Sequence, residues 1–218
     1  MYAETEGIVL KQTKIAGGRR MLVIFTKRYG KISAGTSISE GGKNRAALAL
    51  RPFTYGKYQI NKTRDYYHVN GGDTISSHYS IGEDIDKYLC ASFGMEFTDK
   101  LLPEEAAAPK LFTLLAEFLD MMEKRTKKHE TLLVAYQIKA LTLSGSSPHL
   151  DNCVMCGAVE KLTSFSVAEG GILCESCVKQ TDSKERLIYD SGFDIVNVIK
   201  FLTQSPLSQL ENLALDDG

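Results

Sequence analysis

Met21-Leu22-Val23-Ile24-Phe25-Thr26-Lys27-Arg28-Tyr29-Gly30-Lys31-Ile32-Ser33-Ala34 decides how the opening part of the chain folds. Two short runs rich in apolar and β-branched residues flank a basic turn that contains a glycine. That is the pattern of two short β-strands. Upstream, Gly7-Ile8-Val9-Leu10 reads as a first strand; downstream, Phe53 to Ile60 and Tyr66 to Ile75 read as a fourth and a fifth. Asn70-Gly71 adds a hairpin signal to the fifth. Gly-Gly pairs at 17–18, 41–42, 71–72 and 170–171 read as turns between elements. Arg45 to Leu50 is alanine-rich and fits one or two helical turns. Five short strands with a small helix after the third fit an OB-type β-barrel, a pattern that other small barrels share.

The period changes after residue 80. Ser80-Ile81-Gly82-Glu83 has capping-box spacing, and Ile85, Tyr88, Leu89, Phe93, Phe97 and Leu101 then recur at helical steps. Pro109 suits the first turn of a second helix, whose apolar face carries Leu111, Leu114, Leu115, Phe118, Leu119 and Met122. A third runs from Thr131 to Leu143, and a fourth starts near Ser191. Short amphipathic helices gain their stability by packing together, so these predict a bundle. Cys90, inside the first helical pattern, reads as a small buried hydrophobe.

The fold class is therefore α+β and multidomain: a barrel over 1–80, and a helical bundle over 81–149 and 181–218 with a module inserted at 150–180. The 218 residues allow two small domains, and 24 % charged against 43 % hydrophobic residues exclude wholesale disorder. The acidic amino terminus lacks the basic and apolar regions of a secretory signal. No uncharged apolar window approaches the ~18 residues of a membrane span. A cytoplasmic protein without membrane contact is expected. The net charge of −1 hides a division: residues 1–80 carry +8 and the remainder −9. Seven of the ten tyrosines also fall in the first 80 residues. An anionic partner is expected for that part alone.

Cys153-Val154-Met155-Cys156-Gly157 and Cys174-Glu175-Ser176-Cys177 have the paired spacing of a structural zinc site. A two-residue gap turns both sulfurs of a pair toward one ion, and Gly157 permits the tight turn beyond. Cys153, Cys156, Cys174 and Cys177 are the predicted ligands of one Zn²⁺ per chain. Four thiolates close the coordination sphere and leave no position for a catalytic water. His149 is a spare candidate outside the spacing.

Lys11, Lys14, Arg19, Arg20, Lys27, Arg28, Lys31, Lys43, Arg45 and Arg51 fall mostly at strand ends and loops. Long cations there reach a phosphate backbone, and interleaved tyrosines offer stacking surfaces for unpaired bases. Single-strand binding is favoured, with duplex binding open because phosphate neutralisation ignores sequence. The chain has no phosphate-binding loop, no dinucleotide fingerprint, no H-E-x-x-H and no deaminase signature, since Leu173 stands where that signature needs proline. A non-enzymatic protein is expected. A zinc-ribbon RNA-binding or translation-associated module is the alternative, and a metal-dependent hydrolase would need an open metal site.

The chain resembles the bacterial recombination mediator family RecO. The likeness runs through Thr5-Glu6-Gly7-Ile8-Val9-Leu10, Leu22 to Ile32, Leu50-Arg51-Pro52-Phe53, Asp99-Lys100-Leu101-Leu102-Pro103 and Cys153-Val154-Met155-Cys156-Gly157. It implies an amino-terminal OB fold, a helical domain and a zinc-ribbon-like module. It also implies DNA repair and recombination after DNA damage in the bacterial cytoplasm, at the nucleoid. The implied activities are binding of single- and double-stranded DNA and annealing of complementary strands. RecR and single-stranded DNA-binding protein (SSB) are the implied partners in loading RecA. An acidic SSB tail wants positive charge beside an apolar pocket, and Lys124-Arg125-Thr126-Lys127-Lys128 is the basic run of the acidic half. Two departures stand out. Gly17-Gly18-Arg19-Arg20 replaces an acidic residue common near the second strand. The chain also ends at Leu213-Ala214-Leu215-Asp216-Asp217-Gly218, sooner than the resemblance leads one to expect, and missing or reduced last helices are the expectation it sets.

Overall fold

The computed structural model describes residues 2–15, 17, 19–39, 45–64, 66–181, 188–190 and 193–210, with backbone alone at 190 and 193–195. The chain divides after Gln137 into two compact units.

The first unit begins with β1 (Tyr2–Lys14), β2 (Arg20–Thr26), β3 (Gly30–Thr36), α1 (Arg45–Ala49), β4 (Tyr55–Lys62) and β5 (Tyr67–Ser76). The strands run β1-β2-β3-β5-β4 and close into a barrel. β1 makes two seams: Tyr2 to Ile8 pair with β4, and Gly7 to Lys14 pair with β2. The register shifts between Val9 and Lys11, where the Val9 amide donates to the Thr54 carbonyl and the Phe53 amide to the Val9 carbonyl, both at 3.1 Å. Such a bulge bends a strand far enough to serve two neighbours. β3 and β5 run parallel at Ala34 and Tyr67.

Alternate residues of each strand point inward, so Val9, Leu22, Ile24, Ile32, Ile60 and Val69 form a dry barrel core. The Tyr58 hydroxyl lies in that core and donates to the Ala49 carbonyl at 2.7 Å, which fixes α1 over the barrel. Burial holds the Tyr58 phenol protonated, far above its ordinary range. The pair Gly71-Gly72, expected in a turn, lies inside β5 opposite Gln59 and Tyr58. The reason is packing: a Cβ at Gly72 would come within 2.9 Å of the Tyr58 ring. The hairpin signal of Asn70-Gly71 instead marks a shift of register within β5, where Gln59 pairs with Gly71 and Ile60 with Val69.

Glu6 joins two seams of the barrel, accepting from the Tyr55 hydroxyl at 2.7 Å and from Lys27 Nζ at 3.0 Å. The Tyr55 hydrogen bond and then Lys27 lower its pKa, while burial opposes them. Burial and the Glu6 hydrogen bond push Tyr55 up to about 12. A carboxylate with a lowered folded pKa stabilises above its unfolded value and loses that contribution as pH falls through the folded one. The urea midpoints of wild type and Glu6→Gln should therefore differ at neutral pH and converge on acidification. A gap that stays constant below the carboxylate range would show that Glu6 contributes nothing through its charge.

Three helices follow: α2 (Ile85–Leu101), α3 (Pro109–Lys124) and α4 (His129–Leu143). Pro109 takes the first turn of α3 as expected. The cap of α2 differs from the capping box at Ser80. Residues Tyr79–Glu83 form a 3₁₀ turn, and Asp84 is the N-cap, accepting from the Asp86 and Lys87 amides at 2.9 and 3.1 Å. Ser80 instead donates to Glu123 at 2.7 Å. The buried face of α2 also differs. Ile85, Leu89 and Phe93 are 68, 57 and 54 % exposed, while Cys90, Ala91, Gly94, Met95 and Thr98 are buried. Small residues win that face because Phe118 of α3 packs directly on Gly94. Phe118 also stacks on Tyr136 of α4 with centroids 4.4 Å apart, and Thr98 is hydrogen-bonded to the Tyr136 hydroxyl. Phe112 of α3 meets the barrel edge-on through Phe25 and Tyr55, at 5.4 and 5.7 Å. His78 adds a polar tie, its ring nitrogens 2.9 Å from the Phe53 carbonyl and 2.8 Å from Asp120.

The second unit contains the end of α4, then β6 (Leu162–Ser166), β7 (Gly171–Cys174), α5 (Glu175–Lys179), β8 (Ile188–Asp190) and α6 (Phe193–Gln204). Its sheet has the order β7-β6-β8, so it takes a third strand from beyond residue 180. The expected helix start at Ser191 lies outside the described residues. Lys139 donates to the Thr203 and Ser205 carbonyls at the end of α6. Cations suit a helix C-terminus, where carbonyls lack partners. Among the described residues no helix is long and apolar enough to cross a membrane.

Candidate metal centre and nucleic-acid interface

The sulfurs of Cys153, Cys156, Cys174 and Cys177 all lie within 4.8 Å of one another. Four ligands at ~2.3 Å around a tetrahedral zinc have sulfur–sulfur edges of about 3.8 Å. The Cys156 and Cys174 sulfurs are 3.6 Å apart, so the cluster already has the size of a coordination sphere. Local folding makes it so. The first pair sits in a turn closed by Gly157 N–H to the Cys153 carbonyl at 2.8 Å, with Gly157 at φ 77°. The Cys153 amide returns to the Ala158 carbonyl at 2.8 Å. The second pair straddles the junction of β7 and α5, with Cys174 as N-cap. The Val154 amide donates to the Ile172 carbonyl at 3.0 Å and brings the first turn onto β7.

Electrostatics at the site call for a cation. Burial opposes ionisation of Cys153, but the amides of Cys174, Cys156 and Met155 and the Cys156 side chain outweigh it and lower its pKa to about 6. The Cys156 side chain, burial and the remaining sulfurs push Cys177 up to about 12. One thiolate forms readily and then resists a second, the behaviour of close like charges. A divalent ion would relieve that repulsion, and an all-sulfur donor set suits zinc. His149 bonds Asn152 and stays outside the sulfur cluster.

The predicted cations divide by environment. Lys11, Lys14, Arg19, Arg45 and Arg51 are exposed. Arg20 is 2 % exposed and sits in the barrel wall, donating to the Ile38 carbonyl at 2.5 Å. With the Gln12 amide turned to satisfy both neighbours, its oxygen accepts from the same guanidinium at 2.7 Å. Lys31 is also committed, lying 3.1 Å from Asp99 and 3.6 Å from Glu104 with its side chain 12 % exposed. Lys27 pairs with Glu6, and Arg28 lies over the Tyr29 ring at 5.3 Å. Lys43 lies outside the described residues. In the basic run after α3, Arg125 is buried and donates to the Lys127 and Lys128 carbonyls at 2.8 and 2.9 Å, while Lys124 and Lys127 are exposed. A groove of about 870 Å³ brings Arg45 and Arg51 together with Phe53, Tyr79 and Tyr88.

Two family models cover nearly all of the chain. Residues 1–78 match the model described as recombination protein O N terminal, and residues 82–217 match recombination protein O C terminal. The chain belongs to the RecO family. Curated relatives named DNA repair protein RecO include that of Alkaliphilus metalliredigens, 34 % identical over 81 % of this chain and 72 % of the relative. The Thermoanaerobacter relative is 30 % identical over 96 % of this chain and 83 % of its own length. That of Bacillus mycoides is 32 % identical over 100 % of this chain and 86 % of its own length. This RecO-family chain is thus related throughout its described units to proteins named for DNA repair. The groove is the feature that sequence reasoning missed. Tyrosine enrichment was its signal, but Tyr79 and Tyr88 sit on separate elements that only folding brings to Arg45 and Arg51.

Proposed function

We propose that this chain is a non-enzymatic mediator of DNA repair and recombination. It binds single- and double-stranded DNA through the first unit, anneals complementary strands, and works with RecR to load RecA on SSB-coated DNA. The observation that carries this reading is the set of exposed cations, Lys11, Lys14, Arg19, Arg45 and Arg51, on a strongly basic barrel. Annealing requires both phosphate backbones to be screened while base edges stay free, and cations on loops and strand ends do that without base contacts. The strand order β1-β2-β3-β5-β4 with α1 between β3 and β4 supports an OB fold. The sulfur cluster would hold one structural Zn²⁺ within a zinc-ribbon-like module; the ion supplies cross-linking of the two Cys pairs when bound. Lys124 and Lys127 are the cations through which an acidic SSB tail would dock.

A salt titration tests the DNA reading. On single strands log K should fall against log salt by ~0.7 per phosphate neutralised. Arg19→Ala should shallow that slope by about one contact and slow annealing, without any need for ATP. Arg20→Ala should instead lower the urea midpoint and leave the slope unchanged. Salt-independent binding would reduce the basic barrel to a solvated surface. Preference for RNA in a competition would favour the RNA-binding alternative.

A further inference from the structure

The groove in the first unit is built from α1, the segment leading to β4, the end of β5 and the start of α2. Arg45 and Arg51 line it and are exposed, and their guanidiniums have no hydrogen bond or ion pair among the described residues. Guanidiniums without an internal partner are available for a phosphate. Tyr79 is 65 % exposed, so its ring is open to a stacking partner at the groove wall. Tyr88 is held edge-on to Phe53 with centroids 5.7 Å apart. Phe53 is itself fixed, its carbonyl bonded to buried His78 and its amide to Val9. One aromatic platform is thus rigid before any ligand arrives, which limits the entropy lost on binding.

We propose that this groove is the path of single-stranded DNA, with phosphates on Arg45 and Arg51 and unpaired bases stacked on Tyr79 and Tyr88. The proposal rests on the DNA-binding reading and goes beyond it by naming where the strand lies and which form of DNA enters. Cations beside exposed rings are the chemistry of single-strand sites, because every unpaired base has a face to stack. In a duplex those faces are covered by neighbouring bases. Asp73 also lines the groove and keeps phosphates toward the arginine wall, while its carboxylate can accept from exocyclic amines. A second groove of about 460 Å³ shares Gln12, Pro52, Phe53 and Tyr88 with the first and extends the path to Lys11. Its acidic residues Glu96 and Asp99 are already paired, with Lys100 at 2.8 Å and Lys31 at 3.1 Å, so they present little free negative charge.

The experiment uses the full chain, a labelled oligothymidylate and a duplex of equal length. Tyr79→Ala should weaken single-strand binding about tenfold, Tyr79→Phe should restore it, and duplex binding should not move. Oligonucleotides carrying 5-iododeoxyuridine should photocrosslink to Tyr79 or Tyr88. If wild type binds the oligothymidylate and Tyr79→Ala binds it equally, with crosslinks elsewhere, the groove assignment is overturned while the DNA-binding reading stands. If wild type binds neither DNA at low salt, both fall. If Tyr79→Ala weakens binding of a short acidic peptide and leaves the oligothymidylate unchanged, the groove belongs to a protein partner and the assignment is overturned.

Discussion

Cys174→Ser is expected to empty the sulfur cluster of metal and to loosen the loops around residues 150–180. Cys174 caps α5, ends β7 and faces three other sulfurs, and among the described residues no further metal-binding side chain joins that cluster. Metal binding by such a site is coupled to folding, with apparent energies of about 10–16 kcal/mol for structural zinc in small peptides. Metal analysis of anaerobically purified wild type should give one zinc per chain, and the variant close to none. Hydrogen exchange should accelerate in β6, β7 and the two cysteine turns of the variant, while the barrel of the first unit keeps its protection. A metal-free wild type with the same protection in those segments would refute the structural role.

Gly30→Ala should be the most damaging small substitution in the barrel. Gly30 begins β3 at φ 70°, a region that side chains rarely adopt, and a Cβ there would collide with the backbone of Ala106. The colliding segment cannot simply retreat, because the Glu105 amide donates to the Lys31 carbonyl at 2.8 Å and Lys62 holds Glu105 at 2.6 Å. Backbone strain together with a main-chain clash puts the loss at roughly 3 kcal/mol or more. Gly82→Ala is the control, since nothing lies within 4 Å of a Cβ there. It should stay within about 0.5 kcal/mol of wild type in urea unfolding. Equal midpoints for the two variants would show that the Ala106 segment yields.

The strands were legible because their signal is local. Alternation and β-branched runs located all five barrel strands, and Arg45–Ala49 appeared as the short helix that alanine content suggested. The cysteine quartet was legible for the same reason, as spacing alone specifies which sulfurs can share an ion. What failed depended on partners distant in sequence. The apolar stripe of Ile85, Leu89 and Phe93 suggested a buried face, yet Gly94 is the residue that admits Phe118. Periodicity reports where apolar residues lie on a helix and says nothing about which face a neighbour needs small. Arg20 failed similarly: charge marked it as surface, but β2 begins by turning that side chain toward Gln12 and Ile38.

The double seam of β1 has a consequence for synthesis. β1 can form a hairpin with β2 almost as soon as both leave the ribosome, but its other edge waits for Tyr55–Lys62. At translation rates of about 5–20 residues per second, that edge stays open for some seconds. An unpaired strand edge is a template for another chain. The acidic residues Glu4 and Glu6 lie on the waiting stretch and pair later with Gln59 and Lys57. Lys27 already pairs with Glu6 once the β1–β2 hairpin forms, so before closure it is Glu4 that leaves a negative charge on the waiting edge and disfavours pairing of two nascent copies there.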